Sequence, residues 1–289
     1  KKVSVTDVPV LLTGETGTGK EVFAQAIHRN SERAKKSFVA VNCAAFSKEL
    51  LESEMFGHKA GSFTGALKDK KGLFEEANHG TIFLDEIGEM AFDLQAKLLR
   101  ILETGEFIKI GDTKPTKVDV RIIAATNRDL EKEIEQGHFR EDLFYRLSVF
   151  QIHLPALRER VEDIPLHIKA FVSAFSSKMG KNIRTISPEY IDALKKRAWK
   201  GNVRELRNAI ERSLIIADGD TLTLDALPLN MQTSSAASTE SYSGFDLSGV
   251  EKMHIQKVLK YTKGNKTETS RLLGIGLTTL YRKIEEYGL

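Results

Sequence analysis

The sequence is short of the features that would announce several common classes of protein. Of its 289 residues one is cysteine, Cys43, so no disulfide forms within the chain and a reducing compartment is expected, with the thiol used as a small buried apolar group. No apolar run approaches the roughly 18 residues of a membrane helix, and the Lys1-Lys2 start lacks the design of an export signal. Neither a membrane span nor secretion is expected. The first residue is not Met, which leads us to expect a piece of a longer protein. Charge of one sign is scarce as well, with a net +3. What remains, 41% apolar and 29% charged residues, is the composition of a globular protein long enough for two or three domains.

The small charge excess is localised. From Asp246 onward eight Lys/Arg face five acids, whereas residues 1–245 carry 35 of each sign. The basic excess therefore sits in the last segment, where a nucleic-acid partner fits.

The chain is organised around Gly14-Glu15-Thr16-Gly17-Thr18-Gly19-Lys20-Glu21, which follows the apolar run Val8–Leu12 and precedes a helical pattern with Val22, Phe23, Ala26 and Ile27 on one face. Strand, glycine loop and helix start together form a cradle whose N–H groups and helix dipole favour an anion, with Lys20 placed to reach a β/γ-phosphate. The spacing fits the P-loop template except that Glu21 stands where Ser or Thr is asked for. A plain glycine-rich turn is the alternative. Further short β-branched runs at Phe38–Val41, Thr81–Leu84, Val120–Ala125 and Val149–Leu154 alternate with helical patterns, which reads as a parallel sheet covered on both faces with ligands at the strands' carboxyl ends.

Two of those strand ends carry chemistry. Thr81–Leu84 runs into Asp85-Glu86, an Mg²⁺-holding carboxylate and a water-polarising one if they face the phosphate loop, or an acidic turn if they do not. Val120–Ala125 runs into Thr126-Asn127, which either senses a γ-phosphate or caps the next element. Arg140 and Arg146, in an amphipathic segment, are candidates for arginines supplied to a neighbouring subunit, or for surface pairing with Glu141 and Asp142. Arg204, opening a later helix, either bridges to nucleotide or pairs with a nearby acid. Gly61-Ser62-Phe63-Thr64-Gly65-Ala66 sets an aromatic and a hydroxyl between glycines, either as a protein-contacting tip or as a tight turn whose Phe63 folds into the core. The preceding His58 reads as a surface or capping residue.

From Pro155 strand signals stop and helices are expected at Glu162–Met179, Ser187–Ala198 and Asn202–Ala217, ending near Pro228. Met231–Gly244, rich in Ser, Thr and Ala, reads as a flexible linker. Three helical pieces follow, Val250–Thr262, Thr267–Leu273 and Thr278–Glu286, with a glycine turn between the last two at helix-turn-helix spacing. On the last of them, Leu277–Tyr287, Thr278, Thr279, Arg282 and Lys283 face out and Leu280 and Ile284 in. Thr279 and Arg282 suit bases; Lys283 and Thr267 suit phosphates. Val250, Met253, Ile255, Val258 and Leu259 offer an apolar face for a second copy or for packing on the other two helices.

Together these motifs closely resemble the bacterial enhancer-binding proteins of the NtrC type, AAA+ ATPases that activate RNA polymerase carrying sigma-54. That family's P-loop reads GE(S/T)GTGKE, so Glu21 is ordinary for it. The resemblance implies an α/β AAA+ P-loop subdomain over 1–154, a helical lid subdomain over 155–229, a linker over 230–247 and a Fis-type helix-turn-helix domain over 248–289. It makes Gly14 to Glu21 the nucleotide cradle, Asp85-Glu86 the Walker B pair, Thr126-Asn127 sensor I, Arg140 and Arg146 arginine fingers and Arg204 sensor II, with Asn42 pairing to Glu86 as a switch. Gly61–Ala66 is similar to the family's GAFTGA loop, with Ser62 for the usual Ala. Lys200 replaces a usual Pro, and Thr269-Ser270 a usual Ala pair. The activity implied is hydrolysis of ATP with Mg²⁺ in the bacterial cytoplasm, by a dimer assembling to a hexamer-like ring on enhancer DNA, remodelling the closed sigma-54 polymerase complex. An AAA+ remodeler of DNA or another protein, and a DNA-binding regulator using ATP only to assemble, are the alternatives.

Overall fold

The structure is a computed structural model that describes residues 2–227, 247–262 and 264–288. Its contacts divide into two units, Lys1–Ser234 and Ser235–Leu289. The expected linker and the ending near Pro228 lie outside the described residues, as do the side chains of Val250 and Met253.

The first unit is built on a parallel sheet of β1 (Val10–Thr13), β2 (Phe38–Asn42), β3 (Thr81–Asp85), β6 (Arg121–Thr126) and β7 (Phe150–His153), in the order β2-β3-β6-β1-β7. The central strands are continuous apolar runs because both faces are covered. Alternation sends Leu11, Ile82, Leu84, Ile122 and Ala124 to one core, and Val10, Leu12, Phe83, Ile123 and Ala125 to the other. Helices α2 (Lys48–Phe56), α3 (Leu73–Glu76), α4 (Phe92–Thr104), α5 (Leu130–Glu135) and α6 (Glu141–Leu147) fall between these strands, and a short hairpin, β4 (Glu106–Ile108) with β5 (Pro115–Lys117), interrupts the strand-helix alternation. Helix α1 (Lys20–Arg29) follows the glycine loop, but its buried face is Ala24, Ile27 and His28. The expected apolar face is thus corrected: Val22 and Phe23 are exposed, since α1 turns them away from the sheet.

Past the sheet, α7 (Ile164–Met179), α8 (Pro188–Lys195) and α9 (Asn202–Ile216) pack around Trp199, Tyr190, Leu206, Ile210 and Leu214. α8 stops before Ala198 because Trp199 takes φ +47 and turns its ring into this core, where its Nε1 donates to the Leu194 carbonyl at 2.7 Å. A two-residue parallel pair, Thr185–Ile186 with Thr221–Leu222, is too short to have left a strand period in the sequence.

The second unit holds α10 (Leu247–Tyr261), α11 (Lys266–Leu273) and α12 (Leu277–Tyr287) around Ile255 and Leu280. Asn265 caps α11, and Gly274 closes it in the left-handed region at φ +65. Thr269 is buried, yet its hydroxyl bonds to the Asn265 carbonyl and to Thr262 Oγ1, so a polar residue is accommodated where the resembling family has Ala. No described helix is long and apolar enough to cross a membrane.

Candidate functional site

The glycine loop leaves β1 at its carboxyl end and curls over α1. Gly14 takes φ +145 where a Cβ would lie 2.5 Å from the Leu154 carbonyl oxygen, so only glycine lets the loop turn beside β7. Lys20 is 6% exposed; its Nζ donates to the Gly14 carbonyl at 2.9 Å and the Glu15 carbonyl at 3.4 Å and stands 4.0 Å from Glu86 Oε1. Thr18 is buried and bonds the Glu15 carbonyl, tightening the loop. Glu21 lines the cleft beside Lys20, and its carboxylate accepts from Gln25.

Three strand ends converge here. Glu86 adopts φ +53, a strained conformation for a carboxylate residue and one found where function over-determines the backbone. Its Oε2 accepts from the Asn127 backbone N–H at 3.3 Å, and Asn127 Nδ2 donates to Thr16 Oγ1 at 2.9 Å, tying the end of β6 to the glycine loop. Thr126 is buried and accepts from the Arg128 N–H. Asn42 shares the cleft with Asp85 and Glu86, but no hydrogen bond joins Asn42 to Glu86. Here the Asn42 Oδ1 accepts the Ala44 N–H at 2.8 Å in a local turn, and a pairing of Asn42 with Glu86 that depends on nucleotide stays a proposal. Cys43 beside them is buried as expected; burial first, then Asp85 and Glu86, pushes its thiol up to about 12.

A cleft of about 480 Å³ joins Thr16, Gly17, Gly19, Lys20, Asn42, Asp85 and Glu86 on the sheet side to Phe171, Val203, Arg204 and Arg207 on the helical side, with Val22 between them. Arg204 thus meets the phosphate loop, and its backbone N–H donates to the Gly17 carbonyl at 3.3 Å. Glu15 does not face this cleft. Its carboxylate takes both Arg158 Nη groups, at 2.6 and 2.8 Å, and Asn202 Nδ2 at 3.1 Å. Arg158 first and Asn202 second hold its pKa down to about 2. These lid partners, with Arg160 donating to the Thr18 carbonyl, escaped sequence reasoning although Arg158 and Arg160 stand in a noticeable Leu-Arg-Glu-Arg run.

Among the described residues no group of three or more His, Cys, Asp or Glu side chains gathers to hold a metal. Asp85 and Glu86 fit a hard cation that takes one or two carboxylates and completes its shell with phosphate oxygens and water.

The remaining candidates lie apart from the cleft's lining. Arg140 pairs with Asp142 at 2.6 and 3.0 Å and stacks over Phe92, so within one chain the bland pairing is what forms; Arg146 is exposed without a partner among the described residues. In the loop, Gly61 N–H bonds the Ala66 carbonyl and Ala66 N–H the Phe63 carbonyl, while Ser62 Oγ donates to the Lys59 carbonyl. Phe63 is 45% exposed and rests edge-on to His58 at 4.9 Å, so it neither enters the core nor stands free; Thr64 is exposed. His58 is half-buried and bonds Ser53 Oγ.

In the second unit Thr267, Thr278 and Arg282 are exposed and Thr279 half-buried. Lys283 is a correction. Its Nζ donates to Glu251 at 2.6 Å and to Tyr287 Oη at 3.1 Å, tying α12 to α10 instead of reaching outward, because Glu251 from a helix distant in sequence lies beside it.

Three families match the chain in tandem: Sigma-54 interaction domain over residues 1–153, AAA+ ATPase lid domain over 158–243, and Bacterial regulatory protein, Fis family, over 247–287. Regulatory protein AtoC of Escherichia coli K12 is 47% identical over all of this chain and 64% of its own length. Nitrogen fixation protein AnfA of Azotobacter vinelandii is 48% identical over all of this chain and 54% of its own. The transcriptional regulator NtrC of Escherichia coli K12 is 42% identical over all of this chain and 67% of its own. The chain therefore spans between about half and two thirds of these relatives. The crystal structure of NtrX from Brucella abortus in complex with ADP superposes with TM-score 0.75 at 36% identity, covering all of this chain and 66% of that one.

Proposed function

The chain belongs to the sigma-54 interaction domain family, with an AAA+ lid and a Fis-family helix-turn-helix after it, and from that premise we propose that it is an ATP-driven activator of transcription. It hydrolyses ATP to ADP and phosphate and couples that reaction to remodelling of the closed complex of sigma-54 RNA polymerase while bound to enhancer DNA. The observation that carries the reading is the meeting of Lys20, Glu86 and Arg204 in one cleft, with Asn127 bonded to Glu86 beside it, in a chain that also carries the exposed pair Phe63-Thr64.

The chemistry is mostly positioning and charge stabilisation. The glycine loop and Lys20 hold the phosphates, and Glu86, 4.0 Å from Lys20, orients the attacking water. Asn127, bonded to both Glu86 and Thr16, registers whether the γ-phosphate lies between them. Asp85 would hold Mg²⁺, which when bound would supply charge neutralisation at the phosphates. Arg204 and Arg207 close the cleft from the lid. Arg140 and Arg146 stand outside this cleft, and act on the nucleotide of a neighbouring subunit in a ring of copies. Phe63 and Thr64 contact sigma-54, and Thr278 and Arg282 the DNA.

Deleting Phe63 or making Thr64→Ala tests the coupling. ATPase is expected to survive and sigma-54-dependent open-complex formation to be lost. Unchanged transcription would defeat this reading in favour of an ATPase with another target or one using ATP only to assemble.

A further inference from the structure

A carboxylate inside a phosphate-binding loop is an electrostatic liability, since it repels the anion that the loop is built to hold. Glu15 is such a carboxylate, and the structure turns it outward and neutralises it on the lid through the two-pronged Arg158 contact and Asn202. We infer that Glu15 is a positioning residue: with Arg158 and Asn202 it clasps the lid to the phosphate loop and sets the aperture of the cleft without touching the nucleotide. This deepens the ATPase reading and rests on it for the identity of the cleft.

Asn202 is the centre of the clasp. It is wholly buried at φ +53, a conformation Asn accepts more readily than most residues, and every polar atom of its side chain is used. Nδ2 donates to Glu15 and to the Thr16 carbonyl at 3.0 Å, and Oδ1 accepts the Leu157 N–H at 2.8 Å. One amide therefore pins the glycine loop, the chain leading into the lid and the first turn of α9. Val203, Arg204 and Arg207 lie on that same turn and the next, and all three line the cleft. Two further ties repeat the connection, the Arg204 backbone N–H to the Gly17 carbonyl and the Arg160 side-chain Nη2 to the Thr18 carbonyl at 2.8 Å. Rotating the lid away would break the set together. Because Glu15 stays ionised at any pH near neutral, the clasp is permanent there, and its loss by mutation lowers the fraction of molecules with a binding-competent cleft. Apparent nucleotide affinity falls by the same factor.

The test is a pair of single variants and their combination. Glu15→Gln and Arg158→Ala are each expected to raise KM for ATP about fivefold with kcat within about twofold, and the double variant to do no worse than either, because both remove one link. Arg158→Lys should recover part of the loss. In parallel, spin labels at Lys35→Cys on the sheet side and Asp218→Cys on the lid, in a Cys43→Ala background, should give one narrow distance that broadens in each clasp variant. Multiplying effects in the double variant, unchanged KM, or an unbroadened distance would each overturn the clasp. If the unaltered chain hydrolyses no ATP, the functional reading fails instead, and the label distances still decide whether Glu15 holds the lid.

Discussion

Gly17 and Gly19 offer a comparison in which one chemical change is made twice and only one copy meets the lid. Both take positive φ, +81 and +101. Replacing either by Ala forces an L-residue into the left-handed region, at about 1–2 kcal/mol, and recovers about 0.4–1 kcal/mol by restricting the unfolded chain. These contributions are shared. The surroundings are not: a Cβ at Gly19 meets nothing within 4 Å, whereas one at Gly17 collides with the Gly201 carbonyl oxygen and presses on Arg204 Cβ at 3.2 Å. The obstacle at Gly17 is backbone, so relief requires the start of α9 to retreat by roughly 1 Å to an ordinary C···O contact. Overpacking of this kind costs about 1–3 kcal/mol, and that is the expected difference between the variants. For a unit of this size the midpoint of Gly17→Ala should fall about 2–12 °C below that of Gly19→Ala. Trp199, the chain's single tryptophan and buried in the lid core, supplies the signal, so thermal unfolding followed by its fluorescence without nucleotide reads the lid directly. Two variants melting within a degree of each other would refute the contact between loop and lid.

Fingers that act across subunits predict complementation: Arg140→Ala, expected to lose about a thousandfold or more in turnover, mixed with Glu86→Ala should recover ATPase, because some interfaces then join an intact Arg140 to an intact Glu86. No recovery at any mixing ratio excludes a trans role. The Lys283 contacts predict that Lys283→Met leaves the salt slope of DNA binding unchanged and lowers the second unit's melting point, while Arg282→Ala weakens specific binding about tenfold to a hundredfold. A slope reduced by about one in Lys283→Met would restore a phosphate contact to that residue. Burial, with Arg121 and Arg29 adding to it, holds the His28 imidazole below 6.5, so it is neutral when folded, with its Nδ1 at 2.9 Å from Thr81 Oγ1. As pH falls through 6.5 the unfolded chain gains a proton that the folded chain refuses. Stability is therefore full above that pH and declines below it, by up to about 1.4 kcal/mol per pH unit until the folded imidazole titrates. His28→Gln should flatten that decline in chemical unfolding at stepped pH, and an unaltered slope would refute it.

What the sequence made legible is what depends on neighbours along the chain. β1, the glycine loop and α1 are contiguous, and the β3 and β6 ends show themselves as apolar runs stopping at Asp85-Glu86 and Thr126-Asn127; all of these meet at the cleft. The clasp was not legible because Glu15 and Arg158 are 143 residues apart and nothing in either local pattern refers to the other. Lys283 was misread for the same reason, since its helical face alone says outward until Glu251, 32 residues earlier, is packed beside it. Apolarity groups Val22, Phe23, Ala26 and Ile27 on one helical face, but of these only Ile27 lies on the side of α1 against the sheet, with Ala24 and His28.

The loop at Gly61–Ala66 shows where motion is available to couple the cleft to a partner. α2 connects it to the Asn42 end of β2, and Phe56 at the close of α2 stacks on Phe74 at 5.7 Å and meets Phe107 at a tilt at 5.8 Å, so the base of the loop is fixed in the core. Gly57 and Gly72 lie in a seam so tight that a Cβ at Gly72 would sit 2.5 Å from the Gly57 nitrogen; they are spacers and not hinges. Gly61 and Gly65, at φ +79 and +104 with open space around them, are the positions that can turn. Raising the tip between them breaks four hydrogen bonds, Gly61 to Ala66 at 2.8 Å, Ala66 to Phe63 at 3.0 Å and Ser62 to the Lys59 carbonyl through its Oγ at 2.7 Å and its N–H at 3.2 Å, and removes Phe63 from His58. At about 0.5–1.5 kcal/mol each the bonds alone hold the tip down by about 2–6 kcal/mol. Reversing a 1:99 population takes about 5.5 kcal/mol of differential binding, so the parked tip lies within reach of a nucleotide state that discriminates between the two positions. Ser62 tightens that balance, because the hydroxyl that distinguishes it from Ala is the donor of one of the four bonds.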